Sequence, residues 1–191
     1  MSENTVVTKK EPGIAQLVII LFAIAAITAL LLGLVNMITA PVIAENARLK
    51  NEKAMAAVLA ADSYEIVYEK AEGVEAPAGV DGNVIAINKA GDAGYVVQVE
   101  CPGSFGGGLQ AMVGVGADGT VTGVEIVKTA ETSGLGANAG KDAFKGQFAG
   151  LTDAAVTKDG GKIVPITGAT ITSRAVCAGV NSAIAAAVSM G

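Results

Sequence analysis

The feature that most constrains this chain is a long stretch without a single charged residue, residues 14–44. Of its 31 positions, the only ones outside the apolar set are Gln16, Thr28, Gly33, Asn36, Thr39 and Pro41. The segment 14–40 has 27 residues. As a helix it would be roughly 40 Å long, enough to cross a hydrocarbon core of about 30 Å with some tilt. A cleavable signal peptide has an apolar run of only about 7–15 residues, so we expect an uncleaved anchor rather than a processed signal.

The rest of the chain has an ordinary composition. The whole chain has 191 residues, of which 51% are apolar. Outside the apolar stretch the apolar share falls to about 45%, which is typical of a globular domain. We therefore expect a single domain of about 150 residues after the anchor. The chain has a net charge of −5 and no basic cluster beyond the anchor, which predicts no nucleic-acid partner.

The residue types that are missing exclude several kinds of chemistry. The chain has no histidine, which excludes Ser-His-Asp and Cys-His catalysis, HExxH zinc sites and histidine-ligated haem. Its two cysteines, Cys101 and Cys177, are too few to hold an iron–sulfur cluster or a structural zinc ion. We expect them to be small buried residues, with a disulfide as the alternative. No catalytic side chain or metal site is predicted, so any redox chemistry requires a cofactor.

The pattern beyond the anchor predicts an α+β domain. Pro41 is expected to end or kink the span, and residues 45–61 read as a separate amphipathic helix. Strands are predicted at 65–68, 84–88, 95–100, 109–116, 121–128 and 162–166, with Asp118-Gly119 as a hairpin turn. Helices are predicted near 141–148 and over 173–190, the latter with an apolar stripe at Val176, Val180, Ile184 and Val188. The predicted divisions are a tail (1–13), an anchor (14–40), a juxtamembrane helix and linker (41–63) and the domain (64–191).

Small residues recur at every fourth position of the anchor. Ala25, Ala29 and Gly33 therefore share one helix face, which would let another transmembrane helix approach closely. The alternative is that alanine is simply frequent in this segment. A single anchor with such a face suits a subunit of a membrane complex.

The strongest motif lies at the start of the last predicted helix and reads Thr167-Gly168-Ala169-Thr170-Ile171-Thr172-Ser173-Arg174. A helix N-terminus offers unpaired N–H groups and the positive end of the helix dipole, which together favour a phosphate. Arg174 could add a charged contact. In the alternative interpretation Thr172 or Ser173 is only an N-cap, and these physical features alone favour that alternative.

Two glycine-bearing stretches precede this motif. The first is Glu131-Thr132-Ser133-Gly134-Leu135-Gly136, a loop whose glycines would allow the backbone to approach a planar ligand. The second is the run Gly106-Gly107-Gly108, which we interpret as a flexible entry into a strand. Taken alone, each stretch is more typical of an ordinary loop.

Taken together, these motifs resemble a family, the FMN-binding G subunits of Rnf ion-translocating electron-transport complexes. The family pattern [ST]GA[ST]-x-[ST] falls on residues 167–172, and the ETxGLG pattern falls on residues 131–136. The resemblance implies one FMN, bound covalently through a phosphoester on Thr172 and attached by a flavin transferase. It also places these residues near the cofactor: Thr170, Ala169, Gly168, Thr167, Ser173, Glu131, Thr132, Gly134 and Leu135.

The resemblance also implies a function. The chain would carry electrons in a complex that couples electron transfer between ferredoxin and NAD to Na⁺ or H⁺ translocation. It would contact other subunits and have no independent active site. We expect a single-pass protein of the cell (inner) membrane with the FMN domain on the extracytoplasmic side, although flanking charge alone does not fix the orientation. Two alternatives remain: the C subunit of a sodium-pumping NADH:quinone oxidoreductase, and an anchored binding module without a cofactor.

Two positions depart from the family pattern. Ser133 stands where many members have proline, which would loosen the loop but removes no ligand group. Many members also have an acidic residue shortly before the attachment motif. Here Val164-Pro165-Ile166 occupy that place, and the nearest preceding acidic residue is Asp159.

Overall fold

The computed structural model describes residues 13–191 and divides into two compact units, the first ending at Arg48 and the second running from Leu49 to Gly191. The predicted tail, residues 1–13, lies outside the described residues except for Gly13. The first unit consists of the greater part of one long helix, α1 (Ile14–Val58). Its most apolar window has a mean hydropathy of 3.0 and no buried residue, as expected of a segment that contacts lipid.

The predicted break at Pro41 is wrong, because α1 continues through this residue to Val58 without a second helix starting at residue 45. Proline has a φ angle that a helix accommodates, and it removes only one backbone hydrogen bond. The long apolar run on its N-terminal side and the helix-forming residues that follow supply enough intact turns to carry the helix past it.

The second unit contains a five-stranded antiparallel sheet whose strands follow one another in sequence order. The strands are β1 (Glu65–Glu69), β2 (Val84–Lys89), β3 (Gly94–Glu100), β4 (Gln110–Gly116) and β5 (Val121–Lys128). These match five of the six predicted strands, and the β4–β5 connection turns at Asp118-Gly119 as predicted. The predicted α+β class is therefore confirmed.

The sixth predicted strand, residues 162–166, is absent. This segment makes a single parallel bridge, between Val156 and Ile163. Pro165 cannot donate a ladder hydrogen bond, and the preceding Gly160 has a φ of 85°, so the segment turns instead of extending. The helix predicted near 141–148 is present as α2 (Asp142–Lys145) followed by a 3₁₀ turn, Gly146–Phe148.

The main core lies between the sheet and the closing helix α3 (Thr170–Met190). Valines of β3 and β4 on one face of the sheet pack with the predicted stripe of α3, of which Val176, Val180 and Ile184 are buried. The fourth residue of that stripe, Val188, is exposed. α3 begins at Thr170, three residues earlier than predicted, and this shift changes the role of the hydroxyl residues in its first turn.

The last turns of α1 cover the other face of the sheet. Ala54 and Val58 pack with Val96, Met112 and Val127. Gly114 makes this contact possible, because a Cβ atom there would lie 2.4 Å from the Val58 carbonyl oxygen. Both faces of the central strands are thereby buried, which explains the almost unbroken apolar sequence of β4.

Candidate functional site

A cleft of about 440 Å³ opens at the N-terminal end of α3 and brings the two strongest sequence motifs together. Its volume is within the range of small-molecule sites. It is lined by residues of both motifs and by further segments of the domain: Phe105, Glu131, Thr132, Leu135, Gly136, Lys158, Gly168, Ala169, Thr170, Ile171 and Thr172.

The centre of this cleft is a hydrogen bond between Thr172 and Glu131. Thr172 Oγ1 donates to Glu131 Oε2 across 2.7 Å, although the two residues are 41 positions apart in sequence. Thr172 is 1% exposed and Glu131 is 9% exposed. The other carboxylate oxygen, Glu131 Oε1, accepts a hydrogen bond of 3.0 Å from the Gly106 N–H. The carboxylate is thus held from both sides, with one oxygen directed at the threonine hydroxyl.

Two glycines leave the space that this pair occupies. A Cβ atom on Gly136 would lie 2.2 Å from Glu131 Oε2 and 2.7 Å from Thr172 Oγ1. A Cβ atom on Gly106 would lie 2.2 Å from the Ala130 carbonyl oxygen. Any larger residue at either position would displace the carboxylate or the loop that carries it. The glycine run at 106–108, interpreted from sequence as a flexible strand entry, therefore includes a residue that holds Glu131.

The first turn of α3 presents unpaired backbone donors to the cleft. The N-cap is Ala169, which makes no side-chain capping bond, and Ser173 N donates to Ala169 O across 3.0 Å. The amides of Thr170, Ile171 and Thr172 therefore precede the first helical hydrogen bond and have no partner within the helix. The alternative in which Thr172 or Ser173 serves only as N-cap is wrong, because both lie inside the helix.

The positive charge at the cleft comes from a residue that the motifs did not indicate. Lys158 lines the cleft, whereas Arg174 does not and instead forms an ion pair with Asp159. The Arg174 Nε and Nη2 atoms donate to the two Asp159 oxygens across 2.7 and 2.6 Å. The hydrogen bonds from Arg174 hold the pKa of Asp159 below its usual value. Arg174 is therefore paired with an acid next to the cleft, and the expected charged contact from it is not observed.

The rim of the cleft is apolar and open to solvent. Phe105 is 72% exposed, Ile171 is 55% exposed and Leu135 is 44% exposed. Such side chains bury little surface in the domain itself, yet they border the same cleft. Together they provide apolar contacts for a flat ligand whose polar end reaches the first turn of α3.

Seven of the ten residues predicted to lie near a cofactor line this cleft, and three do not. Gly134 and Thr167 border a neighbouring groove. Ser173 is fully buried and has a structural role, since its Oγ donates to Ala169 O and accepts a hydrogen bond from Ile166 N. Sequence analysis missed Phe105 and Lys158, because neither belongs to a motif and only the chain path brings them to the cleft.

The two cysteines are free and buried, which agrees with their interpretation as small buried residues. Burial raises the pKa of the Cys101 thiol to about 12 and that of the Cys177 thiol to about 11. Both thiols are therefore protonated near neutral pH, and neither has the properties of a reactive cysteine.

A larger cleft of about 570 Å³ lies at the other end of α3, around Tyr95 and Met190. It contains no residue of either motif. The C-terminal end of a helix presents carbonyl groups and the negative end of the dipole, which do not suit an anion. The smaller cleft is therefore the candidate site.

Comparisons with known proteins match both parts of the chain. The model of the FMN-binding domain matches residues 104–185, a range that includes every residue lining the candidate cleft. The model of the RnfG N-terminal region matches residues 13–58, which correspond to α1 and Gly13.

Three relatives share this length and organisation, and each is the G subunit of a membrane oxidoreductase complex. The chain is 36% identical over 184 residues to that of the Na(+)-translocating ferredoxin:NAD(+) oxidoreductase complex of Acetobacterium woodii, covering 88% of this chain and 89% of the relative. It is 38% identical over 164 residues to that of the proton-translocating ferredoxin:NAD(+) oxidoreductase complex of Clostridium ljungdahlii, covering 83% of each. It is 34% identical over 160 residues to that of the ion-translocating oxidoreductase complex of Escherichia coli strain K12, covering 74% of this chain and 75% of the relative.

Proposed function

Since the chain belongs to the family of G subunits of Rnf ion-translocating oxidoreductase complexes, we propose that it binds one FMN covalently through a phosphoester on Thr172. It is an electron-transfer subunit of an ion-translocating ferredoxin:NAD oxidoreductase. The observation that carries the proposal is the position of the Thr172 hydroxyl, in a cleft at a helix N-terminus within the matched FMN-binding domain.

The residues of the cleft fit the chemical groups of FMN. The free amides in the first turn of α3 and the nearby Lys158 suit a phosphate, which keeps one negative charge as a diester. Gly168, with a φ of 76°, permits the tight turn into the helix. The exposed apolar side chains of Phe105, Leu135 and Ile171 suit a planar aromatic ring.

The flavin, when bound, supplies one- and two-electron chemistry, and the protein's own part is to bind and orient it. This division agrees with a chain that has no histidine and whose two cysteines are buried and protonated. The covalent bond would fix the phosphate at the first turn of α3, and the apolar rim would fix the ring relative to the domain surface.

α1 associates the protein with the membrane as a subunit of the complex. We place the FMN domain on the extracytoplasmic side of the cell membrane, where a covalent bond prevents loss of the cofactor. A flavin transferase is the maturation partner that this placement requires. Of the alternatives, the match to the RnfG N-terminal region favours the G subunit of an Rnf complex over the C subunit of a sodium-pumping quinone reductase.

The decisive test is covalent labelling of the full-length protein. The protein is produced together with a flavin transferase, denatured and run on a gel, and flavin fluorescence of its band is recorded. We expect fluorescence in the wild type and in Thr172→Ser, and none in Thr172→Ala. Thr170→Ala is the matched control, because Thr170 lines the same cleft two residues earlier and should not be needed for the covalent bond.

Each contrary result has a distinct meaning. Fluorescence that persists in Thr172→Ala would place the attachment at another residue. A wild-type band without fluorescence, in protein that is folded and was exposed to an active transferase, would support an anchored module without a covalent cofactor.

A further inference from the structure

We propose that Glu131 is the general base for its own chain's flavinylation: it accepts the proton of the Thr172 hydroxyl as the phosphoester forms. This inference rests on the proposed function, because it concerns how the covalent bond at Thr172 is made. It assigns a chemical role to a residue of the acceptor protein, in addition to whatever the transferase contributes.

The first argument is the geometry of the pair. The distance of 2.7 Å from Thr172 Oγ1 to Glu131 Oε2 is that of a hydrogen bond from a hydroxyl to a carboxylate, the contact required for direct proton transfer. A threonine hydroxyl is a weak nucleophile unless a base takes its proton. Among the residues that line the cleft, Glu131 is the only carboxylate.

The second argument is that the protein holds this carboxylate in place. The Gly106 N–H fixes Glu131 Oε1, and the lack of a side chain on Gly136 leaves the room that Oε2 needs beside Thr172. A buried threonine hydroxyl could have bonded to a nearby carbonyl group of its own helix, as Ser173 does. Thr172 bonds instead to an acid 41 residues away, which aligns an acceptor with the proposed nucleophile.

The reaction balances without an oxidant or a reductant. Its donor is a phosphoanhydride of FMN, the class to which flavin dinucleotides belong. Thr172 Oγ1 forms a bond to the phosphorus that carries the flavin, and the bond from that phosphorus to the bridging oxygen breaks. The nucleoside monophosphate leaves with the electron pair of that bond, and the hydroxyl proton moves to Glu131 Oε2.

The test compares rates of covalent labelling for the full-length wild type and Glu131→Gln, using one transferase and a flavin dinucleotide as the donor. Glutamine keeps the shape and both contacts, because its oxygen can accept from Gly106 N–H and its amide can donate to Thr172 Oγ1. It cannot take a proton. We expect the initial rate to fall about 100-fold or more, within the range of general-base catalysis.

The pH dependence separates a base from a residue that only positions Thr172. As pH rises from about 6 to about 9, the ratio of the Glu131→Gln rate to the wild-type rate should increase, because hydroxide replaces the missing base. Asp142→Asn is the matched control: it removes one carboxylate from an exposed position outside the cleft and should label at the wild-type rate. Glu131→Asp, which keeps the carboxylate but shortens the side chain, should label at an intermediate rate.

The outcomes are distinguishable from failure of the proposed function. If the wild type takes up no flavin, both proposals fail. If the wild type and Glu131→Gln label at equal rates, only the role of Glu131 is overturned. A rate that falls by the same factor at every pH would also overturn it, since Glu131 would then position Thr172 without accepting its proton. Equal melting temperatures of the two proteins exclude misfolding as the cause of a slow rate.

Discussion

The N-terminal end of α3 borders a cleft of about 440 Å³, and its C-terminal end borders a larger one of about 570 Å³. At the first end, Thr172 and Glu131 form a buried polar pair beside unpaired helix amides. At the second end, Tyr95 Oη donates to the Met190 carbonyl oxygen across 2.8 Å, and this bond connects β3 to the end of the helix. The comparison teaches that the free donors and the nucleophile indicate a site, whereas the volume of a cleft does not.

The largest effect is expected from closing the space beside the polar pair. Gly136→Ala places a Cβ atom where Glu131 Oε2 lies, so the carboxylate must move away from Thr172. We expect the rate of covalent labelling to fall roughly tenfold to 100-fold, and stability to fall by about 1–3 kcal/mol through overpacking. Labelling kinetics and thermal unfolding measure the two effects.

Gly140→Ala is the control for this substitution. Gly140 lies at the end of the same 3₁₀ segment, and a Cβ atom there would meet no atom within 4 Å. It should label at the wild-type rate. Wild-type labelling of Gly136→Ala would show that the spacing between Glu131 and Thr172 is not needed at this end of the helix.

A smaller effect is expected from removing the positive charge of the cleft. Lys158→Gln should slow labelling about threefold to tenfold, because an exposed charge attracts a phosphate only moderately in water. The difference from the wild type should shrink as salt is raised, since ions screen the attraction. Rates measured at about 0.05 M and about 0.5 M salt test this dependence.

Lys162→Gln provides the comparison, because Lys162 lies four residues later and borders a different groove. It removes the same charge from the chain without changing the candidate cleft. Equal slowing by the two substitutions would mean that net charge, and not the position of Lys158, affects labelling.

The smallest effect on labelling is expected at the opposite end of α3. Tyr95→Phe removes the hydrogen bond to the Met190 carbonyl and should lower the free energy of unfolding by about 1 kcal/mol. The melting temperature should then fall by about 4 °C, while the rate of covalent labelling stays at the wild-type value. A large loss of labelling in Tyr95→Phe would remove the functional distinction between the two ends.

Local sequence patterns were sufficient for most of the secondary structure. Alternation of apolar residues and the Asp118-Gly119 turn predicted β4 and β5, because strand and turn preferences depend on a few neighbouring residues. They failed at Pro41 and at residues 162–166. At the first position, intact turns on both sides outweigh one missing hydrogen bond, and at the second, no neighbouring strand is available to pair with.

The candidate site was predicted in part. The two motifs indicated the loop at 131–136 and the start of α3, but their meeting at Thr172 and Glu131 depends on how the chain returns to the sheet. Lys158 and Phe105 lie outside both motifs, and no pattern in the sequence distinguishes them from other surface residues. The same limit applies to Arg174, whose ion pair with Asp159 is a property of the folded chain.

The sequence by itself determined that one segment is apolar enough to span a membrane and that the rest is an ordinary domain lacking the residues for unaided redox chemistry. The tertiary structure decided what two apolar helices have in common and how they differ. α1 and α3 are both long and apolar enough to cross a membrane, but the most apolar window of α3 is 61% buried and that of α1 is 0% buried. Burial depends on which surfaces the fold brings together, and the same long-range packing that covers α3 also joins Thr172 to Glu131.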